Sequence, residues 1–219
     1  SDATNCADVA NFDFSTSSFS LGGWFKHDTI TTNPDYMITK LDSTSGVYGG
    51  DGADGAVTIS SAKNINTTTI AAGRTYSDGI AYRVIAPADS ANSVTRYLGT
   101  DTLSNGIAAG DEVLLINLEG ASGDYADVGN YEFMEVSSVA AATITFTANI
   151  TKSFDGTTAS NQKVVVQRVP NYTTVTLTSS LTAGTWDGLA TTPTGAAGYY
   201  TGVVAFRASS TVAVNSGGS

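Results

Sequence analysis

The chain has 219 residues, enough to bury a hydrophobic core in one large domain or two small ones. Only 14% of the residues are charged, against roughly 25% in an average soluble domain, and 20 acidic residues against 10 basic ones give a net charge of −10. Because basic side chains do not cluster, nucleic acid is excluded as the main partner. No apolar run approaches the ~18 residues of a membrane span, so none is predicted.

Composition and periodicity indicate an all-β protein. Threonine (32 residues) and glycine (23 residues) are abundant; Thr favours extended backbone, and Gly favours turns. No stretch shows the period of about 3.6 residues that a helix requires. We therefore expect a β-sandwich or β-barrel-like body of short antiparallel strands. The single cysteine excludes a disulfide framework.

We expect residues 1–42 to form an N-terminal strand segment that a Gly-rich hinge, 43–55, separates from the main body. Cys6 is either a cross-link between subunits or a buried or free thiol. Asp51 and Asp54 lie in the hinge sequence GDGADG, which favours a plain turn, since calcium needs about six to eight oxygen ligands.

Two stretches near the N-terminus, FSLGGWFKHD (19–28) and YMITKLDS (36–43), resemble the early strands of laminin-G-like, concanavalin-type sandwich domains. The resemblance covers about 30 residues, and the remainder of such a domain does not follow. It implies a glycan partner. An aromatic set would then provide the glycan-binding surface: Trp24, Trp186 and Tyr199.

The main body, 56–215, precedes a tail at 216–219 and begins with a series of short alternating segments. These predict strands at 56–60, 64–70, 79–88 and 93–100.

Residues 110–147 predict a β-meander. The apolar run 113–116 is followed by a polar loop at 119–130 and then by two strands, YEFMEVSSV and ATITFT. Since apolar residues occupy both faces of YEFMEVSSV, we expect it to be a central strand between two layers.

The loop within this meander is acidic, and its carboxylates are the best metal candidates in the chain: Glu119, Asp124 and Asp127. Several carboxylates joined by glycine can wrap a hard cation, so calcium is possible and no other cofactor is expected. A solvated acidic loop is the alternative. The chain has one His and no nucleophile elbow, and sequence spacing cannot pair two carboxylates for hydrolysis, so we expect no enzymatic activity.

The C-terminal third contains KVVVQRVPNYTTVTLTSS (163–180) and GVVAFRASSTVAVN (202–215). Together with the meander, these segments resemble a module of long bacterial or archaeal secreted surface proteins that precedes Gly-rich or β-helical repeats. The resemblance implies an extracellular structural or adhesive role. It also implies that 202–215 forms a first rung of stacked parallel β-structure.

Three N-x-T sequons, at Asn66, Asn149 and Asn171, are candidate glycosylation sites.

These observations favour a non-enzymatic structural protein at the cell surface or outside the cell. We expect a self-assembling surface or filament subunit, a homo-polymer whose copies are linked by strand addition between sheet edges. The predicted subunit interface is Phe19, Leu21, Trp24, Val203 and Phe206. The alternative is a carbohydrate-binding or adhesin module of the laminin-G-like type.

Overall fold

A closed barrel and a stack of parallel strands make up the part of the chain that the computed structural model describes, which is residues 50–86, 90–96, 106–186, 188 and 201–218. All of these residues belong to one unit, Ile38–Ser219. None of the described helices is long and apolar enough to cross a membrane.

Six antiparallel strands form the barrel, closed in the order β3-β4-β7-β6-β5-β8. In chain order they are β3 (Ala81–Ala86), β4 (Ser93–Arg96), β5 (Glu112–Glu119), β6 (Tyr131–Ala140), β7 (Thr143–Phe146) and β8 (Lys163–Val169). Alternating side chains of these strands fill the interior, including Val113 and Leu115 of β5 and Met134 and Val136 of β6. A 3₁₀ turn, Ala159–Asn161, precedes β8.

Five further strands pair in parallel. They are β1 (Gly55–Ile59), β2 (Lys63–Asn64), β9 (Asn171–Leu177), β10 (Leu181–Thr182) and β11 (Arg207–Val214). One sheet has the order β1-β9-β11, and β2 pairs with β10.

These parallel strands repeat along the chain. Each of the first two long strands is followed by a short one, β1 by β2 and β9 by β10, and corresponding strands stack on each other. We call β1–β2 the first rung, β9–β10 the second rung and β11 the third. A separate hydrophobic cluster that includes Ile59, Ile65 and Val175 fills this stack. The barrel is therefore an insertion between the first and second rungs.

Most strand predictions are confirmed. The 110–147 meander is β5, β6 and β7, and 202–215 contributes the parallel strand β11. The predicted strands at 56–60, 79–88 and 93–100 correspond to β1, β3 and β4, although 87–89 and 97–100 lie outside the described residues. The parallel stack begins earlier than predicted, since β1 and β9 already belong to it.

Two predictions are wrong. The strand expected at 64–70 ends at Asn64, because hydrogen bonds close a turn there. The Asn64 side-chain oxygen accepts the backbone N–H of Asn66, and the Asn64 backbone carbonyl accepts the backbone N–H of Thr68. The second error concerns β6, which does not lie between two layers. A closed barrel has one interior, so Tyr131 and Phe133 face outward, 56% and 41% exposed.

Candidate functional site

Two columns of aliphatic side chains run through the β1-β9-β11 sheet, one residue from each strand. They are Val57, Val175 and Val212 in the first column, and Ile59, Leu177 and Val214 in the second. The members in β1 and β9 are at most 7% exposed, whereas Val212 is 45% and Val214 is 61% exposed. The columns are thus covered at the first two rungs and uncovered at the third.

The same strand has an unpaired edge. β11 bonds to β9 on one side, and no described strand lies on its other side. An edge of this kind presents free N–H and C=O groups in the spacing that another strand requires. Together with the uncovered Val212 and Val214, it is the first candidate site, which we call the open edge.

The first rung and the barrel are joined by a buried charge cluster around Arg168. Arg168 Nη2 donates to both carboxylate oxygens of Asp54 at 2.9 Å, and its Nε donates to Asp111 Oδ1 at 2.7 Å. Asp54 immediately precedes β1, Asp111 precedes β5, and Arg168 lies in β8. Burial alone lowers the pKa of Arg168, but the two carboxylates outweigh it and raise the pKa above its usual value.

A second buried contact joins the second rung to the loop between β2 and β3. The Tyr172 hydroxyl of β9 donates to Asp78 Oδ2 at 2.7 Å, and Asp78 also accepts the backbone N–H groups of Ile70 and Ala71. Burial, reinforced by the negative charge of Asp78, raises the pKa of Tyr172, so the hydroxyl stays protonated and donates.

The third rung is fixed to the barrel by Arg207. Its Nη2 and Nε donate to the Glu112 carboxylate at 2.6 to 3.1 Å, and its guanidinium lies 4.6 Å from the Phe133 ring centroid. Hydrogen bonding to Glu112 raises the pKa of Arg207 against the opposing effect of burial. The guanidinium is therefore held between a carboxylate of β5 and an aromatic ring of β6.

A groove of about 400 Å³ lies along this junction, and we call it the seam groove. It is the second candidate site. Its lining combines aromatic, acidic, basic and amide groups with glycine backbone: Phe133, Met134, Glu112, Glu135, Asp51, Arg207, Asn171, Gly50 and Gly110.

The acidic loop does not bring its three predicted ligands into one group. Asp124 is buried and accepts the backbone N–H groups of Thr157 and Thr158 at 2.8 and 2.9 Å, and Asp127 accepts that of Gly156 at 2.7 Å. Hydrogen bonding, chiefly from the Thr157 backbone, lowers the pKa of Asp124. These carboxylates fasten the loop at 153–162 to the barrel.

Glu119 is engaged elsewhere. It accepts hydrogen bonds from Lys163 Nζ and from the Trp186 indole N–H, and the lysine bond lowers the pKa of Glu119. Across the described ranges, no three His, Cys, Asp or Glu side chains form a group that could hold a metal. Calcium binding at Glu119, Asp124 and Asp127 remains a prediction.

The three sequons differ in accessibility. Asn66 is fully buried, its Nδ2 donates to the Gly79 carbonyl and its Oδ1 accepts the Gly184 N–H, so the folded chain has no room for a glycan there and this prediction is wrong. Asn149 is exposed. Asn171 is half-buried, and its Nδ2 donates to the Val169 carbonyl.

The remaining predicted residues fall into two groups. Four lie outside the described residues: Phe19, Leu21, Trp24 and Tyr199. Trp186 is half-buried and packs against Val165 on the outside of the barrel. Phe206 packs against Tyr172, with ring centroids 6.0 Å apart, and the Val203 carbonyl accepts a hydrogen bond from Gln167. Phe206 and Val203 thus make contacts within the chain.

The charged residues of the junction were not predicted from the sequence. One signal was available, since Arg168 stands among the valines of VVVQRV, where a buried guanidinium requires an acidic partner. Asp54 and Asp111 are turn residues far away in sequence, so nothing local identifies them as its partners.

No family model and no curated protein matches the chain. Two solved structures resemble part of it. The Gp54 tailspike of Acinetobacter baumannii bacteriophage AP22, in complex with A. baumannii capsular saccharide, is 16% identical over 47% of this chain and 16% of that one, with a TM-score of 0.31. The tailspike protein gp49 from Pseudomonas phage LKA1 is 14% identical over 58% of this chain and 22% of that one, with a TM-score of 0.28. The chain thus spans less than a quarter of either tailspike, and similarity at this level assigns neither a family nor a ligand.

Proposed function

We propose that this chain is a non-enzymatic, extracellular structural protein, a subunit of a surface layer or filament that assembles by strand addition at the open edge. One observation carries the proposal. The two aliphatic columns are buried in β1 and β9 but uncovered at Val212 and Val214 of β11.

The energetics favour a further strand at this position. Full burial of a valine side chain contributes about 1.5–3 kcal/mol, and Val212 and Val214 still have about half of their surface left to bury. A strand added in parallel would extend both columns and pair the free backbone groups of β11. The occupant that fits is a rung of a second copy, with aliphatic residues opposite Val212 and Val214.

The geometry predicts an open assembly. A parallel strand added to β11 continues the direction of the stack. Each copy would then use two different surfaces, its own open edge and the surface that carries the added strand to the next copy. Such a head-to-tail contact generates a fibre unless the rotation between copies closes a ring.

The extracellular location is supported by composition. The chain is rich in Thr and Gly, has only 14% charged residues and contains five Lys. These features are typical of secreted surface proteins.

The proposal is tested with the full chain and the double variant Val212→Lys/Val214→Lys, which places charges on the open edge without touching buried residues. We expect the parent to form assemblies whose mass, measured by light scattering, rises with concentration, and which appear as fibres by negative-stain electron microscopy. The double variant should remain monomeric.

The matched control is Ile85→Lys, which changes an exposed aliphatic residue on β3 of the barrel. It should assemble like the parent. A parent that stays monomeric at every concentration, or a double variant that still forms fibres, would contradict strand addition at β11.

A further inference from the structure

Two aromatic rings stand on the outer face of β6 beside the seam groove. Tyr131 and Phe133 are both exposed, and their ring centroids lie 6.1 Å apart with the planes at 80°. Phe133 also lines the groove. Single exposed apolar residues are ordinary, but an exposed aromatic pair at the wall of a groove is typical of a ligand-binding surface.

Phe133 is held in place before any ligand arrives. Arg207 lies over Phe133 at 4.6 Å, and Glu112 fixes Arg207 through three hydrogen-bond contacts. Because the ring already has a defined orientation, little conformational freedom is lost when a ligand packs against it.

The groove also contains polar atoms that the described residues do not satisfy. Arg207 Nη1 and the Glu135 carboxylate make no hydrogen bond within the described part of the chain. Asp51 uses only Oδ1, which accepts the Ala53 N–H. A hydrogen-bond donor and two acceptors are thus available in the same groove as Phe133.

Glu135 occupies its position at a cost. It lies directly opposite Glu112 in the β5–β6 register, and like charges in opposite positions destabilise a sheet. Arg207 forms its ion pair with Glu112, and within the described part of the chain Glu135 has no ion-pair partner. Residues that lower the stability of the fold at their own position are often found at functional sites.

We propose that the seam groove binds a saccharide, with Tyr131 and Phe133 as the packing surface and Glu135, Asp51 and Arg207 as hydrogen-bond partners. A sugar ring has an apolar C–H face that packs on an aromatic ring. Its hydroxyl groups donate to carboxylates and accept from a guanidinium, which matches the donors and acceptors left open.

A cationic peptide fits less well. The Phe133 ring already carries the Arg207 guanidinium, and a cation would use the acceptors while leaving the free Nη1 donor unpaired. The seam groove includes Arg207 of β11 but neither Val212 nor Val214, and saccharide binding does not depend on the proposed assembly.

The test uses the full chain on an array of microbial capsular and cell-wall saccharides, followed by titration of the best-bound oligosaccharide by calorimetry. Phe133→Ala removes the packing surface, and Glu135→Gln removes a carboxylate with no partner among the described residues, so it should leave the fold unchanged. We expect both variants to weaken binding by about tenfold or more, which corresponds to roughly 1.4 kcal/mol.

Ile85→Ala is the matched control, because β3 lies opposite β6 in the closed barrel order and Ile85 is similarly exposed. It should bind like the parent, and so should the assembly variant Val212→Lys/Val214→Lys. The proposal is overturned if the parent binds no saccharide on the array, if Glu135→Gln and Phe133→Ala both bind like the parent, or if an oligolysine peptide binds in place of the saccharides.

Discussion

At the scale of single residues, the junction between the first rung and the barrel depends on the Arg168 guanidinium. It lies between Asp54 and Asp111, all three side chains are largely buried, and the carboxylates belong to different parts of the fold. Replacing both carboxylates along with Arg168 leaves no charge behind. Removing Arg168 alone leaves two uncompensated buried carboxylates.

We therefore expect Arg168→Met to lower the free energy of unfolding by about 3–5 kcal/mol, the range observed when one partner of a buried ion pair is removed. The triple variant Arg168→Met/Asp54→Asn/Asp111→Asn should recover part of that loss. Urea denaturation followed by circular dichroism measures both. A triple variant less stable than Arg168→Met would show that the carboxylates stabilise the fold by other contacts.

Asp124 predicts a pH dependence. Its pKa in the folded chain is below the ordinary value of 3.8, chiefly because of the Thr157 backbone hydrogen bond. A carboxylate with a lowered folded pKa contributes stability that is fully present above its unfolded pKa and is lost as the pH falls through its folded pKa.

We expect Asp124→Asn to lower the melting temperature at neutral pH. The difference in melting temperature between this variant and the parent should become smaller below about pH 3.8. Thermal melts followed at a series of pH values measure this gap. Ile85→Ala is the control, and its difference in melting temperature from the parent should not vary with pH. A gap that does not change with pH would assign the effect of Asp124→Asn to packing rather than to charge.

At the scale of elements, residues at equivalent positions of different rungs contribute differently to the free energy of unfolding, because the rungs differ in burial. Ile59 and Val214 belong to the same column, yet Ile59 is 1% exposed and Val214 is 61% exposed. We expect Ile59→Ala to lower the free energy of unfolding by about 2–5 kcal/mol. Val214→Ala in the dilute monomer should change it by no more than about 0.5 kcal/mol.

Denaturation at low protein concentration compares the two substitutions, and the assembly assay repeats the comparison at high concentration. Val214→Ala should weaken assembly while leaving monomer stability unchanged. Equal destabilisation of the monomer by both variants would mean that the third rung is already covered in the single chain.

The barrel meander was predictable because its signals are local. β5, β6 and β7 follow each other directly, and Gly, Asn and Ala residues mark the turns between them. The C-terminal rung was expected only through a resemblance, although the parallel pairing of β11 confirms it.

The remaining features depend on contacts distant in sequence. The Asp54 side chain accepts the backbone N–H of Asn171, 117 positions further on, and no local pattern pairs β1 with β9 across the inserted barrel. The outward orientation of Tyr131 and Phe133 follows from barrel closure, which strand alternation alone does not reveal. Both candidate sites arise from such contacts, so the sequence indicated their residue types but not their positions.

At the scale of the whole described fold, the chain carries a closed barrel on a parallel stack whose third rung is uncovered. Arg168 and Arg207 fasten the first and third rungs to the barrel. Since β11 is held in this way, its open edge is presented to a partner as an ordered strand. The central claim is that a second copy covers this edge.

Hydrogen–deuterium exchange of peptides covering 207–214 tests that claim most directly, measured on the full chain at low and at high protein concentration. Strand addition would bond the free amides of β11, so exchange in this segment should slow at high concentration in the parent. The Val212→Lys/Val214→Lys variant should show no such change. The contrary result is a parent that assembles, as judged by its mass, while exchange at 207–214 is the same at both concentrations. The contact would then lie elsewhere, which contradicts the proposal.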